Sequence, residues 1–173
     1  LESACAPGGA ASHAVMDFIE SGRGRIARVG GAEKLTATPG PQVGEILLSA
    51  SYVAEEADVP MGFAGVFGRI AEGYFQRHGD QSAALAMMAA KNHANGVNNP
   101  FAQMRKDVGF DFCNTVSERN PRVAGPLRRT DCSLVSDGAA ALVLADEETA
   151  KGLARAIGFR ARVQANEFLP VSR

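Results

Sequence analysis

The fold at the N-terminus is set by one stretch, Glu2-Ser3-Ala4-Cys5-Ala6-Pro7-Gly8-Gly9. Pro7 suits the first turn of a helix, because the N–H that proline lacks would have no partner there. We therefore predict that residues 1–9 form the end of a strand that turns into a helix, and that this helix continues to Glu20 or Ser21. Cys5 then lies at the turn between the two elements.

A cysteine at such a turn is placed for nucleophilic chemistry. The first N–H groups of a helix are unpaired and the helix dipole is positive there, and both effects favour the thiolate, which is the reactive form. The same N–H groups can donate to an oxyanion on an attacked carbonyl, and the small neighbours of Cys5 let a bulky thioester approach. A free cysteine among alanines is also commonly a small buried hydrophobe, so the local pattern leaves both interpretations open.

Downstream of this helix, the apolar spacing predicts a short strand, a loop and two longer helices. The strand covers residues 26–29 and runs into Gly30-Gly31, and a loop rich in Thr, Pro and Gly occupies residues 36–42. Helical spacing then places five apolar residues on one face: Phe63, Val66, Phe67, Ile70 and Tyr74. Gly79 ends this helix. A second helix follows and turns three residues inward: Leu85, Met88 and Ala89.

The rest of the chain first loses and then regains a regular pattern. We interpret residues 97–129 as an ordered, irregular excursion with three apolar anchors: Phe101, Phe110 and Phe112. Asp137-Gly138 makes a turn before a buried strand at residues 139–145. Asp146 can cap a helix that reaches Ala156.

The clearest period-2 alternation predicts a last strand at residues 159–165. Strand–helix–strand units therefore stand on both sides of a long helical and irregular insertion. This order predicts an α/β protein with a mostly buried sheet.

Composition excludes several classes of function. The 173 residues carry a formal net charge of −1, and no block of basic residues indicates nucleic-acid binding. No apolar run reaches the roughly 18 residues of a membrane span, and the first residues lack the pattern of a secretory signal. Three cysteines are too few and too sparse for a disulfide framework and favour a reducing, cytoplasmic location. No cysteine or histidine spacing predicts a metal site.

Five motifs together resemble thiolases of the sterol-carrier-protein-2 type and acetyl-CoA acetyltransferases. They follow the family's order along the entire chain. The motifs are Ser3-Ala4-Cys5-Ala6 with Gly8-Gly9; Gly30-Gly31-Ala32-Glu33-Lys34; Lys91-Asn92-His93 with Val97-Asn98-Asn99-Pro100-Phe101-Ala102-Gln103; Ser136-Asp137-Gly138-Ala139-Ala140-Ala141; and Asn166-Glu167-Phe168-Leu169-Pro170.

The resemblance implies the thiolase fold, a five-layered α/β/α/β/α sandwich of two similar halves with mixed sheets. Residues 1–34 would belong to the N-terminal half-domain and carry the nucleophile, and residues 35–126 would form the inserted helical loop domain. Residues 127–158 would return to the N-terminal half-domain, and residues 159–173 would begin the C-terminal half-domain, of which the chain would hold only the start. The chain would thus be the central part of a longer enzyme.

The resemblance also implies an activity and three site residues. The parent enzyme would transfer acyl groups between coenzyme A thioesters, by thiolysis of a 3-oxoacyl-CoA or the reverse condensation, with Cys5 as the acyl-accepting nucleophile. Coenzyme A and acyl-CoA would be substrates, with no covalently bound cofactor and no metal. Met61 would line the acyl and pantetheine tunnel, and Ser133 would touch pantetheine. The plain alternatives are core packing for Met61 and a turn hydroxyl for Ser133.

Two departures from the family pattern bear on catalysis. Pro7 stands where a small hydroxyl residue is usual. The family takes two catalytic histidines from its second half-domain, and this sequence has neither of their motifs, since His13, His78 and His93 match no catalytic position. We therefore expect the machinery in this chain to be incomplete.

Other polypeptide is expected to cover the exposed strands of such a chain. It would be either missing segments of the same enzyme or another copy in a homo-oligomer, a dimer or a tetramer. Two alternatives to the thiolase activity remain open. One is a carbon–carbon lyase that acts on steroid side chains with a small partner protein. The other is a non-catalytic thiolase-like subunit in a complex with a small acyl-binding partner protein.

Overall fold

The computed structural model describes residues 1–170, and the chain forms two compact units. The first unit comprises Leu1–Pro39 and Val135–Asn166, and the second comprises Gly40–Leu134 with residues 167–170. Of the predicted segment 159–173, the last three residues lie outside the described part of the chain. The predicted assignment of the four segments to thiolase half-domains and loop domain stays a prediction.

The described chain contains both helices and antiparallel strands, which confirms the predicted α/β class. In chain order the elements are α1 (Pro7–Glu20), β1 (Ile26–Glu33), α2 (Gly40–Leu48), α3 (Val53–Glu56), α4 (Gly62–His78), α5 (Ser82–Gly96), α6 (Gly109–Asn114), β2 (Arg122–Ala124), β3 (Leu127–Arg128), a 3-10 turn (Arg129–Asp131), β4 (Gly138–Ala145) and α7 (Glu147–Lys151). In the described residues no helix is both long and apolar enough to cross a membrane.

The first unit is built on one antiparallel strand pair. β1 pairs with β4 along its full length, from Ile26 opposite Ala145 to Glu33 opposite Gly138. α1 packs on this pair, and Val29 of β1 is buried. The α1 prediction is confirmed at both ends, and Pro7 occupies the first helical turn. β1 is longer than predicted, because its pairing with β4 continues through Gly30 and Gly31.

β4 forms where the sequence predicts a strand, but the prediction that it is buried is wrong. Most of its residues are exposed, and Val143 is 71% exposed. A strand is buried on both faces only when layers cover both faces. Within the described residues, α1 is the helix that packs most extensively on the β1–β4 pair.

Two other predicted strands are absent from the described structure. Neither residues 1–5 nor residues 159–165 form a strand, and Val163 is 86% exposed. An alternating pattern supplies a side-chain face but no backbone partner, and a strand without a partner leaves its N–H and C=O groups unpaired. α7 also ends earlier than predicted, at Lys151, where Gly152 disfavours further helix.

The second unit is mainly helical, and small residues form its contacts. α4 ends at Gly79 as predicted, with φ +76°. α5 packs against α6 through buried Ala86, Ala89 and Cys113. The prediction that Met88 points inward is wrong: it is 50% exposed, whereas Ala86 and Ala89 supply the buried face of α5. Phe101 was predicted to be an apolar anchor and is 93% exposed.

Buried polar side chains order the stretch that was predicted to be irregular. The amide nitrogen of Asn120 donates to the carbonyls of Phe112, Cys113 and Thr115 at 3.0, 3.3 and 3.2 Å, and its oxygen accepts from the Thr130 N–H at 3.0 Å. These four bonds tie the end of α6 to the 3-10 turn. α6 and the β2–β3 hairpin thus give residues 97–129 more regular structure than the sequence indicates.

Candidate active site

Cys5 lies in a tight turn directly before α1. The N–H of Ala6 donates to the carbonyl of Ser3 at 2.8 Å and closes the turn, and the Cys5 side chain is exposed. Ala4 has φ +49°, in the left-handed region that a residue with a Cβ atom rarely adopts. Such backbone strain often accompanies functional sites, where surrounding structure holds a reactive side chain in place. The thiol is therefore presented to solvent from a strained turn.

The first turn of α1 is open toward this thiol. Ala6 is the N-cap residue, and among the described residues no side chain caps this end of the helix. Gly8 and Gly9 follow Pro7, and a Cβ atom at either glycine would meet no atom within 4 Å. Their N–H groups belong to the turn that has no intrahelical partners, at the positive end of the helix dipole. This arrangement can donate hydrogen bonds to an oxygen that gains negative charge next to Cys5.

The other two cysteines occupy different environments. Cys113 is buried and Cys132 is half-buried, whereas Cys5 is exposed. Burial raises the pKa of the Cys113 thiol. Burial also raises the pKa of the Cys132 thiol, and the nearby negative charge of Asp131 adds to this effect. Both effects disfavour the reactive thiolate at Cys113 and Cys132, and Cys5 is the exposed cysteine of the three.

Met61 lies in the second unit and is not a core residue. It is the N-cap residue of α4 with φ +66°, and Gly62 follows with φ +58°. The side chain is 65% exposed, so it does not serve as core packing. A second strained non-glycine residue thus stands at one of the predicted site positions.

Ser133 also lies in the second unit, in a segment without helix or strand between the 3-10 turn and β4. Its side chain is exposed. Cys5 belongs to the first unit, whereas Met61 and Ser133 belong to the second. The roles predicted for all three residues stay predictions.

His13 is the histidine of the first unit, and it is not placed as a partner for Cys5. His13 lies six positions beyond the start of α1, which corresponds to about 9 Å of helix rise. His78 packs its ring against Tyr74, and His93 lies on α5, both in the second unit. Within the described residues, no three His, Cys, Asp or Glu side chains are grouped as ligands of a metal ion.

Two features near these residues are not apparent from the sequence. The left-handed conformation of Ala4 carries no sequence signal, since alanine normally avoids it. Asp137 was interpreted as a turn residue, yet it accepts hydrogen bonds from the N–H groups of Leu35 and Thr36. Only knowledge that β1 pairs with β4 would have placed Asp137 beside these two residues.

The chain matches a known protein family over most of its length. Residues 1–148 match the family described as "Thiolase, N-terminal domain", which is most of the chain and includes Cys5 and Ser133. The chain belongs to the thiolase family. This confirms the resemblance seen in the sequence motifs.

Individual thiolase-family relatives give the same result. The chain is 34% identical to an acetyl-CoA acetyltransferase of Methanothermobacter thermautotrophicus over 87% of its length, which is 38% of that protein. It is 33% identical to an acetyl-CoA acetyltransferase of Methanocaldococcus jannaschii over 96% of its length, which is 42% of that protein. It is 29% identical to the benzoylsuccinyl-CoA thiolase subunit BbsB of Thauera aromatica over 88% of its length. The chain thus spans about two fifths of the length of the two acetyltransferases.

Proposed function

We propose that the protein carrying this thiolase-family chain transfers acyl groups between coenzyme A thioesters through an acyl-cysteine intermediate on Cys5. The observation that carries the proposal is the exposed Cys5 thiol on a strained turn, next to the uncapped, glycine-containing first turn of α1. The names of the two acetyl-CoA acetyltransferase relatives support the same class of reaction.

The mechanism uses the thiolate of Cys5 and the helix N-terminus together. Sγ attacks the thioester or 3-oxoacyl carbonyl, an S–C bond forms, and the carbonyl oxygen becomes an oxyanion. The N–H groups of Gly8 and Gly9 stabilise this charge. The intermediate then collapses, the bond to the leaving group breaks, and the leaving group takes up a proton. In the second step the thiolate of coenzyme A, or the deprotonated α-carbon of a second acyl thioester, attacks the acyl-cysteine carbonyl and forms the new C–S or C–C bond. The C–S bond to Cys5 breaks, and its thiolate is released.

We expect a residue other than the three histidines of this chain to accept the Cys5 proton. His13 is about 9 Å along α1 from its first residue, beyond hydrogen-bond reach. We propose that the second half-domain of the full-length protein supplies it, as the resemblance to thiolases implies. The fold would then be the five-layered sandwich, with the loop domain inserted at about residues 35–126.

Substrate contacts are proposed for Met61 and Ser133. Both side chains are exposed, which suits contact with the acyl chain and with the pantetheine arm of coenzyme A. No covalently bound cofactor or metal is required for the two steps, because coenzyme A and acyl-CoA act as substrates. A cytoplasmic location also stays a prediction.

Further polypeptide is proposed to cover the apolar residues of β4. Leu142 and Val143 are consecutive strand residues and so point to opposite faces of β4, and both are exposed. Soluble proteins rarely leave large apolar surfaces in solvent. Either further segments of the same protein or a second copy in a dimer or tetramer would satisfy this. Analytical ultracentrifugation of the isolated 173-residue chain tests the proposal, and a compact monomer that stays in solution would refute it.

Mass spectrometry of the full-length gene product tests the acyl-cysteine directly. After incubation with acetyl-CoA, we expect a peptide carrying Cys5 to gain one acetyl group. The Cys5→Ala variant should gain none, and the Cys132→Ala variant should behave as wild type. An acetyl adduct on another residue, or on no residue, would refute the proposal. A retro-aldol assay with a steroid side-chain thioester separates it from the lyase alternative, since a thiolase releases no aldol cleavage product.

A further inference from the structure

The chain enters α4 through a tight turn whose third residue is Met61. The N–H of Gly62 donates to the carbonyl of Val59 at 3.0 Å and closes the turn. Pro60 stands at the second position, and Met61 follows with φ +66° and ψ 15°, which is the geometry of the third residue of a type II turn. Glycine or asparagine is favoured at that position, because a larger side chain is strained there. Met61 therefore keeps its side chain at a backbone position that suits glycine better.

The first turn of α4 packs closely against this entry turn at Gly65. Gly65 is buried, and a Cβ atom there would overlap the carbonyl oxygen of Pro60. The same Cβ atom would lie 2.8 Å from Cγ1 of Val59, a residue that is only 6% exposed. The α4 backbone thus approaches the turn more closely than a residue with a side chain allows. Because Val59 is packed in place, the turn has little room to give way.

The contact between Gly65 and Pro60 bears directly on the backbone of Met61. The carbonyl carbon of Pro60 is one end of the φ torsion of Met61, and the peptide that joins the two residues is planar. The place of the Pro60 carbonyl against Gly65 therefore helps to fix the left-handed φ of Met61, whose side chain is 65% exposed. All of these residues lie in the second unit. A methyl group at position 65 would push the Pro60 carbonyl away and turn Met61 with it.

We propose that Gly65 is a positioning residue for Met61 and that it thereby sets the preference for acyl chains longer than acetyl. The proposal rests on the proposed function, in which Met61 contacts the acyl chain. Gly65 acts through Met61 and not on the substrate. A strained backbone at an exposed residue is typical of functional sites. The unbranched methionine side chain suits an aliphatic chain, since each methylene group that leaves water on contact strengthens binding.

Gly73 provides a matched control in the same helix. A Cβ atom at Gly73 would meet no atom within 4 Å. Gly73→Ala therefore makes the same chemical change in α4 as Gly65→Ala, but it leaves the entry turn untouched.

The experiment compares the dissociation constants of acetyl-CoA and hexanoyl-CoA by titration calorimetry. It uses the full-length gene product with Cys5→Ala, so that acyl transfer to Cys5 does not consume the ligands. In this background we expect hexanoyl-CoA to bind about tenfold more tightly than acetyl-CoA. Gly65→Ala should reduce this advantage to about twofold and keep the Kd of acetyl-CoA within about twofold. Gly73→Ala should leave both dissociation constants unchanged.

Met61→Gly separates positioning from a purely structural role. Glycine adopts the left-handed backbone without strain, so this variant should not lower the thermal midpoint, yet it should remove the advantage of hexanoyl-CoA. A residue that only stabilised the fold would change the thermal midpoint and not the ratio of the two dissociation constants. In the double variant, Gly65→Ala should not change this ratio further, because the side chain through which it acts is absent.

Any of four results would overturn the proposal. They are equal binding of the two thioesters before Gly65 is changed, an unchanged ratio in a folded Gly65→Ala variant, an equal change in Gly73→Ala, and an effect of Gly65→Ala that persists in the Met61→Gly background. If Gly65→Ala does not fold, Met61→Gly decides, and an unchanged ratio in that variant refutes the proposal. The acetyl adduct on Cys5 of the unmodified protein is scored separately, so a failed positioning role is distinguishable from a failed proposed function.

Discussion

Arg25 Nε lies 2.7 Å from Oδ2 of Asp146, at the end of the strand pair where Ile26 faces Ala145. The hydrogen bond from Arg25 is the main reason that the pKa of Asp146 lies well below its usual value, and the hydroxyl and N–H of Thr149 add to it. A carboxylate whose pKa is lowered by folding stabilises the protein at every pH above its unfolded pKa, about 3.9. That stabilisation is lost as the pH falls further toward the folded pKa.

We therefore expect the protein to lose stability as the pH falls below about 4, and Asp146→Asn to reduce this dependence. Urea denaturation midpoints at neutral pH and at about pH 3 measure both effects. Asp58→Asn, which changes an exposed carboxylate, serves as the control and should keep the wild-type dependence. Identical acid sensitivity in all three proteins would show that the Arg25–Asp146 pair contributes nothing.

Replacement of Asn120 by alanine is expected to lower the free energy of unfolding by about 2–4 kcal/mol. The residue is fully buried, and its side chain lies within hydrogen-bond distance of three carbonyls and of the Thr130 N–H. Chemical denaturation measures the loss. Asn99→Ala removes one hydrogen bond from an exposed turn and should cost less than about 1 kcal/mol. Equal losses in the two variants would contradict the importance of burial.

Two glycines in α4 should respond to alanine with opposite signs. A Cβ atom at Gly65 would overlap the carbonyl oxygen of Pro60, whereas a Cβ atom at Gly73 would meet nothing within 4 Å. Gly73→Ala should therefore stabilise the protein by about 0.5–1 kcal/mol through helix propensity. Gly65→Ala should destabilise it by about 1–3 kcal/mol, because the α4 backbone must move away from Pro60. The thermal midpoints of the two variants measure these changes in stability. A stabilised Gly65→Ala variant would refute the close packing of Gly65 against Pro60.

The contrast between these glycines shows which parts of the fold the sequence predicts. Helices α1 and α4 follow from local spacing and from their terminal residues, Pro7 and Gly79, and both are confirmed. The contact of Gly65 with Pro60 depends on how the chain turns before α4, which involves the left-handed backbone of Met61. Tertiary contacts of this kind leave no periodic pattern of apolar residues in the sequence.

The sequence also did not show which strands pair with each other. The apolar run of β4 correctly predicted a strand, whereas the alternation at residues 159–165 did not, because only the first has a partner in the described chain. For the candidate site, the motif around Cys5 predicted the turn and the helix that follows. The same motif gave no sign of the strain at Ala4, nor of the tie between Asp137 and Thr36.

Cys5 should react with iodoacetamide at least about tenfold faster than Cys113 and Cys132 at neutral pH. Cys5 is exposed, and burial raises the pKa of the other two thiols, so that less thiolate is available to react. Peptide mapping by mass spectrometry over a time course measures the three rates. Cys5→Ser should remove the fast phase and leave the two slow ones unchanged. Similar rates at all three positions would favour the non-catalytic subunit.

Gly9→Ala separates stability from function at the start of α1. A methyl group at this position meets no atom within 4 Å, so the substitution should stabilise the helix by about 0.5 kcal/mol. In the full-length protein the same methyl group would narrow the approach to the N–H groups beside Cys5, and acetylation of Cys5 should slow about tenfold or more. Gly73→Ala is the control, since it should raise stability without changing the acetylation rate. A Gly9→Ala variant that is more stable and fully active would mean that the thioester does not approach the first turn of α1, and the oxyanion donors would have to be sought elsewhere.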